Sequence, residues 1–570
     1  MLDSVNSSVR RAVDALRAQR NPDGYWDGRL AASPLATGVA LCSLSSFKET
    51  SIDRIKAWNY LRSTQNPDGG WGDTARSKSN LAATLLILSA HACAKERQQT
   101  RLHPAELHKA EHYVQQLGGY KDGLTRVYGS DLTFQTPIRM AAAFAGLISW
   151  RDVEALPFEL ALAPRGLMGA LRLPVVSYAL PALVCVGLAR QKKVVHWLVP
   201  WWLVRAFLDS SALSVVRAMQ PESGGYLEAI PLTAFCWIGL QAANRTHDSI
   251  AANARKFLEA TQREDGSWPV EVNLSVWNTT RAVDALQAGG LLETALNEQE
   301  RAATREWLLK QQVKTKSVYS NAAAGGWGWN HLSGSVPDAD DTAGALVALR
   351  ELGVAKDHAA LQDGKLWLLS LQNSDGGFPT FCRGWQTLPF DRSAADLTAH
   401  AIRAFSSLED FSPAAFEYLK KNQRADGSFV PLWFGCEQAP DQLNNTYATA
   451  QTILACESLG ESSRSLIEPA VTYLRSIQNT DGGFGGCMGA KSTAEETGLV
   501  LRALSAVSDP DSETLQRAAR WLMERQRADG SWDPAPIGFY FAVLWYYEEL
   551  YPLCYALGGL GAYAQLMAKK

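Results

Sequence analysis

Residues 338–341 read Asp-Ala-Asp-Asp, three carboxylates in four positions, set between a Gly- and Trp-rich stretch (AGGWGWN, 324–330) and an apolar, alanine-rich helical pattern. Carboxylates this close repel one another, and repulsion with partial burial raises the pKa of at least one, which then keeps its proton near neutral pH. A neutral aspartic acid is a proton donor. The same residues admit a plainer role, because aspartates in front of a helix cap its free N–H groups and sit well at the positive end of its dipole. A second segment, SAADLTAHAIRAF (393–405), places His400 four residues after Asp396, on one helical face and within reach of a side-chain pair.

The elements that must position these groups are written as a repeat. YLRSTQNPDGGW (60–71), FLEATQREDGSW (257–268), LLSLQNSDGGF (368–378), YLKKNQRADGSF (418–429), YLRSIQNTDGGF (473–484) and WLMERQRADGSW (521–532) share one frame. Aspartate follows glutamine by three residues, glycine by four and an aromatic by six. MQPESGGY (219–226) and QRNPDGYW (19–26) are weaker copies, with Ser223 at the aspartate position and Arg20 at the glutamine position. Each copy closes an amphipathic helix, and its DG pair supplies a turn with positive φ. The glutamine and aspartate side chains can bond the free backbone groups at the helix end and tie neighbouring hairpins together. Period-two alternation is scarce, so the reading is an all-α solenoid or toroid of helical hairpins.

Composition sets bounds. A chain of 570 residues exceeds one ordinary core, and two domains follow. A net charge of -3 and a pI near 6.3 offer no basic field, which argues against nucleic acid as a partner. The nine cysteines (42, 93, 185, 236, 382, 436, 456, 487, 554) are scattered without a CxxC pair, against both a disulfide framework and a zinc ribbon, and a reducing compartment fits. The N-terminal stretch lacks an apolar h-region. The most apolar region, 171–204, is broken by prolines and by Arg190, Lys192 and Lys193, which suits two core helices or a monotopic surface better than a span.

The glutamine-to-tryptophan repeat resembles the QW motif of the squalene-hopene cyclase and oxidosqualene cyclase family, and Asp338-Ala339-Asp340-Asp341 resembles its DxDD acid motif. YPLCYALGGL (551–560) is similar to the family's terminal FPxxALxxY segment. The resemblance implies two α/α toroids with a greasy cavity between them, 1–34 plus 273–570 carrying DxDD and 35–272 inserted. It implies Asp340 as the acid that protonates an alkene, with Asp338 and Asp341 flanking it. The segment DLTAH matches the family's DxTAH, making His400, charged, the partner of Asp340 and Asp396 its orienting carboxylate. Tyr447 in NNTYATAQT aligns with the tyrosine of the family's YGT, Ala448 standing where the glycine would be. Trp329, twelve residues before Asp341, and Trp277 in NLSVWNTT, matching VWDT with Asn278 for aspartate, would face a carbocation through their quadrupoles. Phe381 and Tyr540 correspond to further cavity aromatics. Core packing is the alternative for each of these rings.

There are departures as well. Ile230 in YLEAIPL falls where the family carries a glutamine at the end of its cavity, and the loop FVPLWFGCEQAPDQLNN has diverged. The resemblance implies an apolar polyprenyl substrate, squalene or a related triterpene, without metal or other cofactor. It also implies a monotopic protein on the cytoplasmic side of the cell membrane, with 171–204 facing the lipid, and a homodimer. DDTAG lacks the last aspartate of DDxxD, so magnesium-dependent diphosphate ionisation is not expected. Three readings compete: a cyclase of a diterpene diphosphate or aryl polyprene, a toroid like the prenyltransferase β subunits, and a non-catalytic binding toroid. Cysteines 382 and 436 have no matching histidines for the zinc site that a prenyltransferase needs.

Overall fold

The computed structural model describes residues 1–46, 50–94, 101–129, 131–163, 180–194, 199–319, 321–381, 383, 391–457, 459–539 and 542–569. Helices dominate, as the scarcity of alternation requires, and the strands are two- and three-residue pieces. The chain divides into two compact units: residues 1–29, 273–331 and 336–570, and residues 30–272 with 332–335.

In the first unit six helices form a closed inner ring: Ser275–Ala288, Ala339–Glu351, Ala395–Ser407, Asn445–Glu457, Ala494–Val507 and Leu550–Ala568, each packed on the next and the last on the first. Outside them lie Leu2–Ala18, Glu298–Lys310, Ala359–Leu371, Pro413–Asn422, Arg464–Ser476 and Glu513–Arg525. The two layers differ in sequence for a physical reason. Outer helices bury one face, as Glu513–Arg525 buries Leu515, Ala518, Ala519, Trp521 and Leu522, whereas an inner helix such as Asn445–Glu457 is buried nearly all round. Among the described residues, the second unit has an inner ring of five helices, Pro34–Leu44, Leu81–Cys93, Leu132–Phe144, Leu180–Lys193 and Ile230–Ala242. Parts of the 171–204 segment, residues 171–179 and 195–198, lie outside the described residues.

The repeat is the fastener of both rings. Gln65, Gln262, Gln372, Gln423, Gln478 and Gln526 each donate from Nε2 to the carbonyl of their own turn glycine and to an acceptor on a neighbouring outer helix or its cap, at 2.8–3.1 Å. The turn glycines have φ between 86° and 92°, a region a Cβ disfavours. Where the aromatic is Trp71, Trp268 or Trp532, its Nε1 donates to the carbonyl ten residues back, the last turn of the preceding helix. A further copy escapes the fixed spacing: Gln312 bonds the carbonyls of Gly325 and Ala360, and Trp327 Nε1 bonds that of Leu308, around an insertion.

The repeats also reach the inner helices. The backbone N–H of Trp327 donates to Thr342 Oγ1, that of Phe378 to Thr398 and that of Phe429 to Thr449, each at 3.0 Å. These threonines adjoin Asp341, lie between Asp396 and His400, and follow Tyr447 by two. Replacing Gln423 with leucine removes two hydrogen bonds, those to the carbonyls of Gly427 and Leu466. At about 0.5–1.5 kcal/mol for each, this variant is expected to unfold several degrees earlier in a thermal melt, with its circular dichroism at 20 °C unchanged.

Candidate active site

Asp338 is the N-cap of helix Ala339–Glu351: its Oδ1 accepts the backbone N–H of Asp341 at 2.8 Å, the capping role the local sequence allows. Asp338 and Asp341 are buried, while the Asp340 side chain keeps 16% of its surface exposed. Of the three carboxyls, Asp340 is therefore the one with access to an incoming molecule. Burial first, and the neighbouring aspartates second, push Asp341 well above the ordinary carboxylate range. Burial raises Asp338 to about 7 against the hydrogen bonds it accepts from Asp341. Desolvation thus outweighs the repulsion that the spacing alone suggests.

His400, on the inner helix Ala395–Ser407, brings Nδ1 to 2.6 Å from Asp340 Oδ1. Its other nitrogen, Nε2, lies 3.0 Å from a terminal nitrogen of Arg281, whose guanidinium sits 4.5 Å from the centre of the Trp277 ring. Burial pulls His400 below its ordinary pKa; Asp340 opposes this, and Arg281 and Arg403 reinforce it. Burial and the two guanidiniums thus work against the imidazolium that the family resemblance implies.

Asp396 does not orient His400. Both ring nitrogens are taken by Asp340 and Arg281, and the Asp396 carboxylate instead accepts the N–H of Leu432 at 3.1 Å and of Trp433 at 3.5 Å. It holds the loop that presents Trp433 and Phe434. Burial and the nearby Asp340 push it to about 7, against the pull of those N–H groups.

Aromatic rings surround the Asp340–His400 pair. Trp277 stands edge-on to His400 at 6.1 Å and meets Phe434, which meets Tyr447 at 4.7 Å and Tyr551 at 6.2 Å. Trp329 meets Phe381 at 6.3 Å, Phe381 meets Trp433 at 5.9 Å, and Trp433 meets Phe539 at 4.5 Å. Phe539 belongs to the hairpin Ile537–Phe539 with Leu544–Tyr546, and bridges to Phe434. The Trp329 carbonyl accepts the N–H groups of Val276 and Trp277, and the Thr380 carbonyl accepts that of Ala339, so acid and aromatic segments are laced together. Tyr447 is buried, with its hydroxyl accepting from Gln451. Ile230 belongs to the second unit, fully buried at the start of helix Ile230–Ala242. Tyr540 lies outside the described residues.

Arg281, Trp433, Phe434, Phe539 and Tyr551 were not singled out in the sequence. Arg281 stands four residues after Trp277, one helical turn on, and that spacing is the signal that could have found it. Nearby, Asp284 binds Arg403 at 2.7 Å and Arg502 at 2.6 and 2.9 Å. Burial would raise Asp284, but those two guanidiniums hold it well below the carboxylate range.

An accessible carboxyl, an imidazole hydrogen-bonded to it and a surrounding wall of aromatic rings suit acid-initiated carbocation chemistry. Two family models match the chain: the squalene-hopene cyclase C-terminal domain over residues 273–565 and the N-terminal domain over residues 9–199. The squalene–hopene cyclase of Alicyclobacillus acidocaldarius is 25% identical over 667 residues, covering 99% of this chain and 98% of that one. A drimenyl diphosphate synthase of Streptomyces showdoensis is 31% identical over 220 residues, 37% of this chain and 39% of its own. Among solved structures, the ent-copalyl diphosphate synthase of Streptomyces platensis matches with a TM-score of 0.57 at 19% identity, covering 99% of each chain.

The raised Asp396 gives a pH test. An acid that keeps its proton to about 7 in the folded protein and only to the ordinary carboxylate range when unfolded binds more protons folded across that window. Its contribution to stability is present at low pH and lost as pH rises. Asp396→Asn has no such titration, so the variant is expected to gain in thermal midpoint relative to wild type from pH 5 to 8, levelling above; parallel curves would refute the assignment.

Proposed function

Because the chain belongs to the squalene-hopene cyclase family, we propose that it is a type II terpene cyclase in which Asp340 protonates the terminal alkene of a long polyprene, squalene or a related triterpene precursor. The observation that carries this reading is the 2.6 Å bond from His400 Nδ1 to Asp340 Oδ1 on the one accessible carboxyl of the DxDD segment. Oδ1 is held by the imidazole, which leaves Oδ2 to carry the proton. In the first step the Asp340 O–H bond breaks, its electron pair stays on the carboxylate, and the alkene π pair forms the new C–H bond, leaving a tertiary cation. Successive alkenes then attack the cation, each closing a ring, until a C–H proton is lost.

The aromatic wall supports the middle of this sequence. Each ring face stabilises a passing cation by roughly 0.5–2 kcal/mol and cannot trap it as an oxygen or nitrogen would. Trp329 and Trp433 are only partly buried and so have surface to offer, whereas Trp277 has its face occupied by Arg281 and serves the acid. Burial raises both Asp338 and Asp341, which lessens the negative charge beside Asp340 when it gives up its proton.

An apolar substrate of this kind resides in lipid, which supports placing the enzyme at a membrane surface. No described helix is long and apolar enough to cross a membrane, and Phe207 on helix Val199–Met219 is 83% exposed. A second reading, a shorter prenyl diphosphate cyclised with its diphosphate intact, is favoured by the 31% identity to a drimenyl diphosphate synthase.

The test is incubation of purified protein with squalene, an aryl polyprene, farnesyl diphosphate and geranylgeranyl diphosphate, with and without a chelator, against Asp340→Asn, read by mass spectrometry. Cyclic isomers of squalene at unchanged mass, absent in the variant and indifferent to the chelator, are expected. Products from a diphosphate alone would select the second reading, and turnover by Asp340→Asn equal to wild type would remove Asp340 from the mechanism.

A further inference from the structure

We propose that Arg281 is a positioning residue of this site: by donating to His400 Nε2 it fixes the ring as the neutral tautomer with its hydrogen on Nδ1, aimed at Asp340. The inference rests on the cyclase reading above and adds the source of the acid's strength. A guanidinium is a donor only, so a nitrogen 3.0 Å from it must present a lone pair. Nδ1 must then carry the ring's single hydrogen, and its 2.6 Å approach to Asp340 Oδ1 is a donation.

The surroundings leave the ring little room for another arrangement. Trp277 carries the Arg281 guanidinium on its face, and Gly344 packs beside the imidazole on the facing helix, where a Cβ would lie in ordinary contact with His400 Cε1. The charged groups around His400 are Asp396 and Arg403 on its own helix, Arg281 and Asp284 on Ser275–Ala288, Asp340 and Glu351 on Ala339–Glu351, and Arg502 on Ala494–Val507. The phenols Tyr447 and Tyr555 also act on Arg281. Arg403 and Arg502 occupy the oxygens of Asp284, so Arg281 is left to His400. Burial, with Asp284 adding to it, pushes Glu351 to about 8, which leaves less negative charge to balance the three guanidiniums of this cluster. A protonated His400 would add a fourth cation to this dry cluster.

The carboxylate formed when Asp340 releases its proton is therefore held by a neutral N–H polarised from behind by a guanidinium. No proton leaves His400 in the step. Arg281 touches neither substrate nor the transferred proton and acts through His400 alone.

The test uses full-length protein labelled with ¹⁵N-histidine and no substrate, with the His400 signal among the nine histidines assigned by its loss in His400→Gln. At pH 7 the wild type is expected to show Nδ1 protonated and Nε2 unprotonated. Arg281→Met is expected to free Nε2, so that His400 titrates at higher pH under the pull of Asp340. Its kcat should fall about 10- to 100-fold with KM within about twofold, the size of effect seen for groups that orient a functional side chain. Arg281→Lys, which keeps a charged donor, should recover most of the rate. A doubly protonated His400 in the wild type at pH 7, or an Arg281→Met protein of native circular dichroism whose His400 signal does not move, overturns the proposal. If Arg281→Met fails to fold, the wild-type spectrum and Arg281→Lys decide. An inactive wild type with the expected spectrum would sink the cyclase reading and leave the tautomer assignment intact.

Discussion

Helix ends carry unsatisfied carbonyls, and a ring of short helical hairpins has many of them half-buried at its rim. One glutamine per hairpin bonds the carbonyl of its own turn and a second acceptor on a neighbouring helix or its cap, and the rest of the structure depends on that bridge. The spacing follows: the turn needs a glycine at positive φ, the aspartate accepts the N–H two residues on, and the aromatic must reach back to the helix it has just left. Because the aromatic's backbone N–H ends on a threonine of the inner helix, the same device that closes the ring also sets the height of each inner helix. Thr342 and Thr398 are in this sense structural members of the site, standing beside Asp341 and between Asp396 and His400.

The chemistry then depends on keeping water and stray charge away from one carboxyl. Asp338 is consumed by capping, Asp341 is buried beside it, and Asp396 turns to a loop. Four aspartates crowd this region, yet they divide into separate tasks because each finds a different set of N–H groups. Asp340 alone of them takes the imidazole.

What the sequence made legible was the part built from local, periodic rules. The helical hairpins, the positive-φ turns and the cap at Asp338 follow from spacing and residue type. The contact of Asp340 with His400, 60 residues apart, came only through resemblance to a known motif pair. Arg281 escaped because its partner is 119 residues away and a lone arginine on a buried helix carries no periodic signature. The role given to Asp396 failed because four-residue spacing establishes proximity, not which acceptor an imidazole prefers when another carboxylate and a guanidinium approach from other helices. The copy at Gln312 was hidden by its insertion, since a fixed register cannot follow a turn lengthened between glutamine and glycine. Trp433 and Phe434 lie in the diverged loop, where the alignment of motifs offered nothing.

The bond that closes the first ring joins Gln526 to Ser8, across 518 residues, while in the second Gln262 bonds Asp53 across 209. Synthesis proceeds from the N-terminus, so the two rings cannot be finished in the order they begin. Residues 30–272 can fasten once they have emerged, but helix Leu2–Ala18, with Val5, Val9, Ala12 and Leu16 on its apolar face, must wait for the last repeat. The apolar face of helix Leu2–Ala18 thus lacks the helices that cover it until the last of them has been made.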